Sequence, residues 1–244
     1  MFYSAKINGK SVIKSDTICV EHFFTTREFC IKSKDVQMQD IVLSNKQSVC
    51  DYLHIDSDRL LSPCQTHTSN VELASAIKHE YPETDALIVT SNDIGIFLNF
   101  ADCTPIIIYD EVKNIGAVVH AGWRGTASNI LTKTVYKLAN EFCSNPDNIK
   151  AVIGPAIGFC CYNVGEDVYS SLKASVSDFT GLSEIRNGDI FVDLKSINAR
   201  QLLECGVTKI DIAPYCTCCN NDLFYSYRKE NGTTNRHSAV FKLS

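Results

Sequence analysis

Between residues 85 and 120 the chain is almost continuously apolar, interrupted only by short polar turns. Residues 86–90, 94–100, 105–109 and 115–120 read as four strands with short connections. Strands apolar along their whole length predict a sheet covered on both faces, because a half-exposed strand alternates. The period then changes. Ile130, Leu131, Val135, Leu138 and Phe142 recur at helical spacing, which predicts one helix over 126–143, capped by Thr126 or Ser128 and ended before Pro146. A short strand over 151–153 stops at Gly154-Pro155. Residues 166–174 and 194–204 read as helices, the second closed by Gly206, and 209–213, 223–227 and 238–243 as late strands. The first sixty residues give only apolar bursts at 17–20 and 41–43 among polar positions. Strands and helices mix without regular alternation, so the expected fold class is α+β rather than doubly wound. No repeat, low-complexity run or Pro/Gly-rich linker divides the chain, so residues 1–244 are expected to form a single domain.

Composition narrows the function. The chain has 244 residues, 45% of them apolar and 21% charged, enough to bury a core without staples. A net charge of -5 with no basic run argues against a nucleic-acid partner, while a few arginines still suffice for a nucleoside or phosphate pocket. No apolar stretch is long enough to span a membrane, and the first residues show no apolar signal core. A cytoplasmic location is therefore expected. Twelve cysteines are the oddity. In a chain neither small nor visibly exported they are expected to be reduced, many of them filling the core as small hydrophobes.

Candidate chemistry sits at the ends of the apolar runs. Ala101-Asp102-Cys103 closes one run, and His120 closes another before Ala121-Gly122-Trp123-Arg124-Gly125. Gln65-Thr66-His67 lies upstream. Cys103 alone reads as a core cysteine and His67 alone as a structural histidine. Together, Cys103, His67 and His120 make a three-ligand set suited to zinc, with one coordination position left open as in catalytic sites. His22, His54, His79 and His237 have no comparable setting and are expected to be surface or structural. The glycine-flanked turn after His120 leads toward the predicted helix, whose first N–H groups suit an anion. Arg27, Arg124, Arg228 and Arg236 stand beside turns or strand ends, and guanidinium is well shaped for phosphate. Cys216, Cys218 and Cys219 cluster near Cys205, and Cys160-Cys161 is a vicinal pair. Two repeated C-x-x-C pairs are not evident, so packing or a redox-sensitive loop is expected there rather than a second metal site.

Two other readings use the same residues. Cys103 with His120 or His67 is also the pairing of a metal-free Cys/His hydrolase. A multicopper oxidase needs many imidazoles, but only six histidines are present, with no His-x-His pair, and neither Met1 nor Met38 lies near a motif. A single copper at the Cys/His site, giving weak phenol oxidation, stays open.

Taken in order, the motifs resemble one family. They are His22-Phe23-Phe24-Thr25-Thr26-Arg27, Gln65-Thr66-His67, Ala101-Asp102-Cys103-Thr104-Pro105-Ile106, and His120 to Gly125. Ile153-Gly154-Pro155-Ala156-Ile157-Gly158, Cys161-Tyr162-Asn163-Val164-Gly165, Phe224-Tyr225-Ser226-Tyr227-Arg228 and Thr233-Thr234-Asn235-Arg236 follow. They resemble the bacterial purine nucleoside phosphorylases formerly called polyphenol oxidases or laccase-domain proteins, the YfiH family. The resemblance implies a layered mixed α/β sandwich and zinc ligands at His67, Cys103 and His120. It implies phosphorolysis of adenosine, inosine and methylthioadenosine, with deamination of adenosine. Purine nucleosides and phosphate are then the small-molecule partners. Arg27 and Arg124 join the three donors as candidate catalytic residues, and with Arg228 and Arg236 they are the candidates for holding phosphate. The chain departs from the family pattern at Glu28-Phe29-Cys30, at Thr68, at Asn163 in place of a glutamate and at Asn235 in place of a glycine. Asp102 is the expected substitute if that glutamate moves a proton. The changes at Asn163 and Asn235 keep a non-catalytic nucleotide-binding protein as the remaining alternative.

Overall fold

The computed structural model describes residues 1–78 and 80–244, so the reading of His79 lies outside the described residues. Two six-stranded sheets form the inner layers. The first runs in the order β1 (Phe2–Ile7), β2 (Lys10–Ser15), β3 (His22–Thr25), β15 (His237–Lys242), β7 (Gly95–Phe100) and β4 (Leu60–Leu61). The second runs β14 (Lys209–Ile212), β10 (Ile149–Ile153), β8 (Thr104–Asp110), β9 (Ile115–Ala121), β6 (Ala86–Val89) and β5 (Val71–Leu73). A small third sheet holds β11 (Asn163–Val164), β13 (Asp189–Val192) and β12 (Ser183–Arg186).

The side chains explain the layering. Ile13, Phe24, Leu98 and Phe241 from the first sheet bury against Leu87, Ile107, Val118 and Val152 from the second. The outer face of the second sheet is covered by α3 (Ile130–Phe142) and α5 (Leu194–Glu204), through Leu131, Val135, Leu138 and Leu202. The outer face of the first sheet is covered by α1 (Gln39–Leu53), through Val49 and Leu53 against Phe23, Phe97 and Val240. The result is a helix–sheet–sheet–helix sandwich, the layered α+β class expected from the sequence. Strands β8 and β9 are buried at every position, as their continuous apolar character requires. Helix α4 (Glu166–Lys173) and the third sheet build a satellite core around Leu172, Val192 and Leu194.

Close approach of the two sheets needs glycine at Gly154. A Cβ there would lie 2.2 Å from Cε1 of Phe24, a fully buried ring with nowhere to move. Gly154→Ala is therefore expected to destabilise the fold by about 1–3 kcal/mol through overpacking. A lowered denaturant midpoint with an unchanged slope checks this.

Four sequence expectations are corrected. Residues 126–143 are not one helix. The segment divides into α2 (Trp123–Ala127) and α3, separated by Asn129 in the left-handed region with φ 57°. Asparagine tolerates that conformation, and the Gln201 amide holds the break by donating to the Thr126 carbonyl and the Asn129 side chain. Residues 223–227 form no strand. They wrap as turns around Glu230, which accepts from the Ser226 amide and the Asn221 side chain. The N-terminal region carries three strands and a fifteen-residue helix that its pattern did not reveal. Finally, only Cys30, Cys50 and Cys216 among the twelve cysteines are buried, because most of the others lie in turns and loops rather than in the sheets. No helix among the described residues is long and apolar enough to cross a membrane.

Candidate metal centre

Strand register assembles the centre at one end of the second sheet. In the β8–β9 ladder Thr104 pairs with Ala121 and Pro105 with His120, so Cys103 emerges opposite Gly122. In the β6–β9 ladder Ala86 pairs with Val119, which sets Asp85 beside His120. The loop carrying His67 enters β5, which runs parallel to β6, so it arrives at the same end. Gln65 fixes that loop. Its side-chain amide donates to the Asn99 carbonyl at 2.9 Å and accepts from the Asn99 amide at 2.8 Å, as a strand neighbour would.

The side chains converge. One donor atom each from His67, Cys103 and His120 lies within 4.8 Å of the others. Cys103 Sγ is 3.7 Å from His67 Nε2, and the two imidazoles meet edge to face at 4.9 Å. His120 is buried, Cys103 half-buried and His67 exposed, so the cluster opens to solvent on the His67 side. Gly122 leaves room for it, because a Cβ there would lie 3.0 Å from both Cys103 Sγ and His67 Cδ2. His67 and Asp102 both take positive φ, 64° and 84°. Such conformations cost energy and gather at functional sites.

Asp85 organises the centre, and the sequence reading passed over it. Its carboxylate accepts from His120 Nδ1 at 2.7 Å, from the amides of Thr66, His67 and Thr68, and from the Thr68 hydroxyl. The bond to Nδ1 fixes the His120 ring and leaves Nε2 for the cluster, the arrangement by which a carboxylate orients a metal-binding histidine. Its only trace in the sequence is an acidic residue standing directly before an apolar strand.

The electrostatics set a thiolate beside an imidazolium, whose Nε2 proton a bound metal ion must displace. Burial pushes the Cys103 thiol up, but the His120 charge and hydrogen bonds from both histidines outweigh it and bring the thiol down to about 6. Burial pushes His120 down, while the Cys103 thiolate and the Asp85 carboxylate carry it up to about 9. Burial would also raise Asp85, yet His120 and the Thr68 donors hold it below the ordinary carboxylate range. A thiolate with two imidazoles is a borderline-soft donor set that fits zinc, and three protein ligands are the number that leaves a position for water or substrate. The same set accepts copper.

The remaining predicted residues divide. Both oxygens of Asp102 are occupied, one by the Thr217 hydroxyl and one by the Arg228 amide, each at 2.7 Å. It is a fixed acceptor rather than a free substitute for the missing glutamate. Arg27 pairs with Glu230 at 2.8 Å, donates to the Asn221 carbonyl and lies over the Tyr225 ring. Its charge is matched inside the protein, so it clamps the 221–230 loop. Arg236 donates to the carbonyls of Thr233 and Asn235. Arg228 reaches the side chain and carbonyl of Asn163 and no carboxylate. Arg124 is exposed and stacked on Trp123 at 4.3 Å, with no hydrogen bond or ion pair to its guanidinium among the described residues. Arg228 also lies over the Tyr162 ring at 5.6 Å. Helix α2 begins at Trp123 with Gly122 as its cap and is only five residues long, so it lends little dipole to an anion.

The other described histidines are structural or surface residues, as expected. His22 accepts from the Ser15 amide, His54 ends α1 in the left-handed region, and His237 is buried against Phe224, where burial pushes it down to about 3. A 570 Å³ cleft lined by Lys32, Lys46, Leu61, Cys64 and Phe97 among others contains none of the three donors. Donor chemistry, not cleft size, locates the site.

The chain is 31% identical over 207 residues to the purine nucleoside phosphorylase YlmD of Bacillus subtilis, covering 80% of this chain and 74% of that one. It is 32% identical over 202 residues to the adenosine deaminase RL5 of an unknown prokaryotic organism, covering 77% and 76%. The crystal structure of the Bacillus licheniformis hypothetical protein YfiH superposes with a TM-score of 0.88 at 28% identity, covering 98% of both chains. The family model described as multi-copper polyphenol oxidoreductase laccase matches residues 19–244. By that match and those relatives, the chain belongs to the laccase-domain family that includes the YlmD and YfiH proteins.

Proposed function

We propose that this chain is a zinc-dependent purine nucleoside phosphorylase, acting on adenosine, inosine and methylthioadenosine, that also deaminates adenosine in the cytoplasm. The observation that carries the reading is the solvent-facing set of His67, Cys103 and His120, locked by Asp85. Its purine nucleoside phosphorylase and adenosine deaminase relatives supply the substrate class. Zinc, when bound, supplies Lewis acidity and an activated water, the chemistry that deamination at C6 requires.

The chain's own residues do the rest. Asp85 holds His120 Nδ1 so that Nε2 stays a donor. Phosphorolysis breaks the glycosidic bond as positive charge builds on the ribose, and phosphate must wait at the anomeric carbon. Arg124 and Arg228 hold that phosphate, because both are exposed and neither pairs with a carboxylate among the described residues, whereas Arg236 is half-buried. Arg27 and Arg236 shape the loops beneath them.

Phosphate-dependent release of hypoxanthine from inosine, measured beside metal content, tests the proposal. Turnover should follow zinc occupancy and vanish on chelation. Full activity in chelated protein would instead support a Cys103/His dyad, and no turnover in zinc-loaded protein a binding role alone. Copper on the same donors is the second reading, favoured by the thiolate–imidazole set and the family's description. It requires phenol oxidation that rises with copper loading.

A further inference from the structure

A second convergence of metal-binding side chains lies beside the first. Cys160 and Cys161 stand on the turn after β10, and Cys216 and Cys219 on the turn after β14. The parallel pairing of β10 with β14 continues past both strand ends as a bridge between Ala156 and Cys216, tightened by the Thr217 amide on the Ala156 carbonyl at 3.0 Å. One sulfur from each of the four cysteines lies within 4.8 Å of the others. Cys219 is 3.6 Å from Cys160 and 3.4 Å from Cys161. Sulfurs arranged tetrahedrally at about 2.3 Å from zinc stand about 3.8 Å apart, whereas disulfide sulfurs stand about 2.05 Å apart. The observed spacings are those of shared ligands.

We infer that Cys160, Cys161, Cys216 and Cys219 form a second zinc site, a closed tetrathiolate. The expectation of incidental packing overlooked that Cys216-Thr217-Cys218-Cys219 is itself a C-x-x-C pair with an additional cysteine inside it. Its partner is vicinal rather than spaced, and only the β10–β14 pairing shows that the two halves meet. One sulfur already has a backbone donor. The Gly158 amide donates to Cys216 Sγ at 3.1 Å. Gly158 has no side chain where a Cβ would lie 3.0 Å from Cys216 Cβ and 3.2 Å from Cys160 Sγ. Four thiolates on a divalent ion leave net negative charge. Lys195 is buried beside the turn that carries Cys216, with its ammonium on the carbonyls of Ala213 and Tyr215 and no ion pair among the described residues.

Four protein ligands leave no open position, so this site is structural. It ties down loops that serve the first centre. Thr217, between two of the ligand cysteines, donates to Asp102 beside Cys103, and the Ile157 amide donates to the Asp102 carbonyl at 2.9 Å. Arg228 reaches the Cys161 carbonyl.

The test is zinc stoichiometry by elemental mass spectrometry on reduced, full-length protein. Wild type should carry about two zinc ions and Cys216→Ser/Cys219→Ser about one, since each closed or open site holds a single ion. His67→Ala/Cys103→Ala should keep the other. If the serine double variant does not fold, His67→Ala/Cys103→Ala reconstituted with cobalt decides. It should show the strong visible bands of a tetrahedral tetrathiolate and lose thiol reactivity at the four cysteines. Saturation of wild type at one zinc that Cys216→Ser/Cys219→Ser retains, or a cobalt form without thiolate bands, overturns the inference. So does a disulfide among these cysteines in zinc-saturated protein.

Discussion

Cys103→Ala is expected to lose the zinc held by His67 and His120, and Asp85→Asn to keep all three donors yet bind that zinc roughly 10–100-fold more weakly. The two variants separate a ligand from the group that aims a ligand. Removing the thiolate leaves two imidazoles, too few to hold the ion. Asparagine at position 85 keeps the shape but has a single acceptor oxygen, while five donors converge on Asp85. Its NH₂ group must face either His120 Nδ1–H or the amides of the His67 loop, and donor then meets donor. Turning the His120 ring or shifting its proton relieves the clash at the expense of the Nε2 lone pair. Competition with a chelator gives the affinity, and turnover at limiting and saturating zinc gives the consequence. Activity that returns to Asp85→Asn at high zinc marks an orienting role. Wild-type affinity in that variant would remove Asp85 from the centre.

The sequence made the three donors legible because each is a reactive side chain at the end of an apolar run, where a sheet must stop. It did not make Asp85 legible. An acid before a strand reads as a turn residue, and only the β6–β9 register shows it beside His120. Helix α1 was hidden by its own surface. Ile41 and Leu43 are exposed while Asn45 is buried, donating to the Cys30 carbonyl, so the apolar pattern points one step away from the true inner face of Val42, Val49 and Leu53. The run at 223–227 misled for the opposite reason. Phe224 is buried in the core between the sheets and Tyr225 beside Cys30 and Ala101, but both come from a loop that closes around the Arg27–Glu230 ion pair and not from a strand. The arginines show the limit of motif reading most clearly. All four lie in matching motifs, yet whether a guanidinium is spent inside the protein depends on a partner far along the chain.

Arg124→Ala is expected to slow phosphorolysis of inosine roughly ten- to a hundredfold while leaving deamination of adenosine near its starting rate. Phosphate is a reactant only in the first reaction. A charge-assisted contact contributes about 1.5–3 kcal/mol, and each ~1.4 kcal/mol is tenfold in rate. Arg124 is the arginine to test because among the described residues its guanidinium has no partner but the Trp123 ring, so removing it breaks no other contact there. The loss should appear chiefly as a raised KM for phosphate. Arg27→Ala is the informative contrast. Its ion pair with Glu230 and its bond to the Asn221 carbonyl hold the loop that leads to Arg228, so its loss should lower thermal stability and reduce both activities together. Measuring both rates and the melting temperature for each variant separates the two roles. Equal losses of the two activities in Arg124→Ala, at unchanged stability, would mean that this arginine positions the nucleoside. The phosphate would then rest on Arg228, whose charge meets the neutral Asn163, the Cys161 carbonyl and the Tyr162 ring.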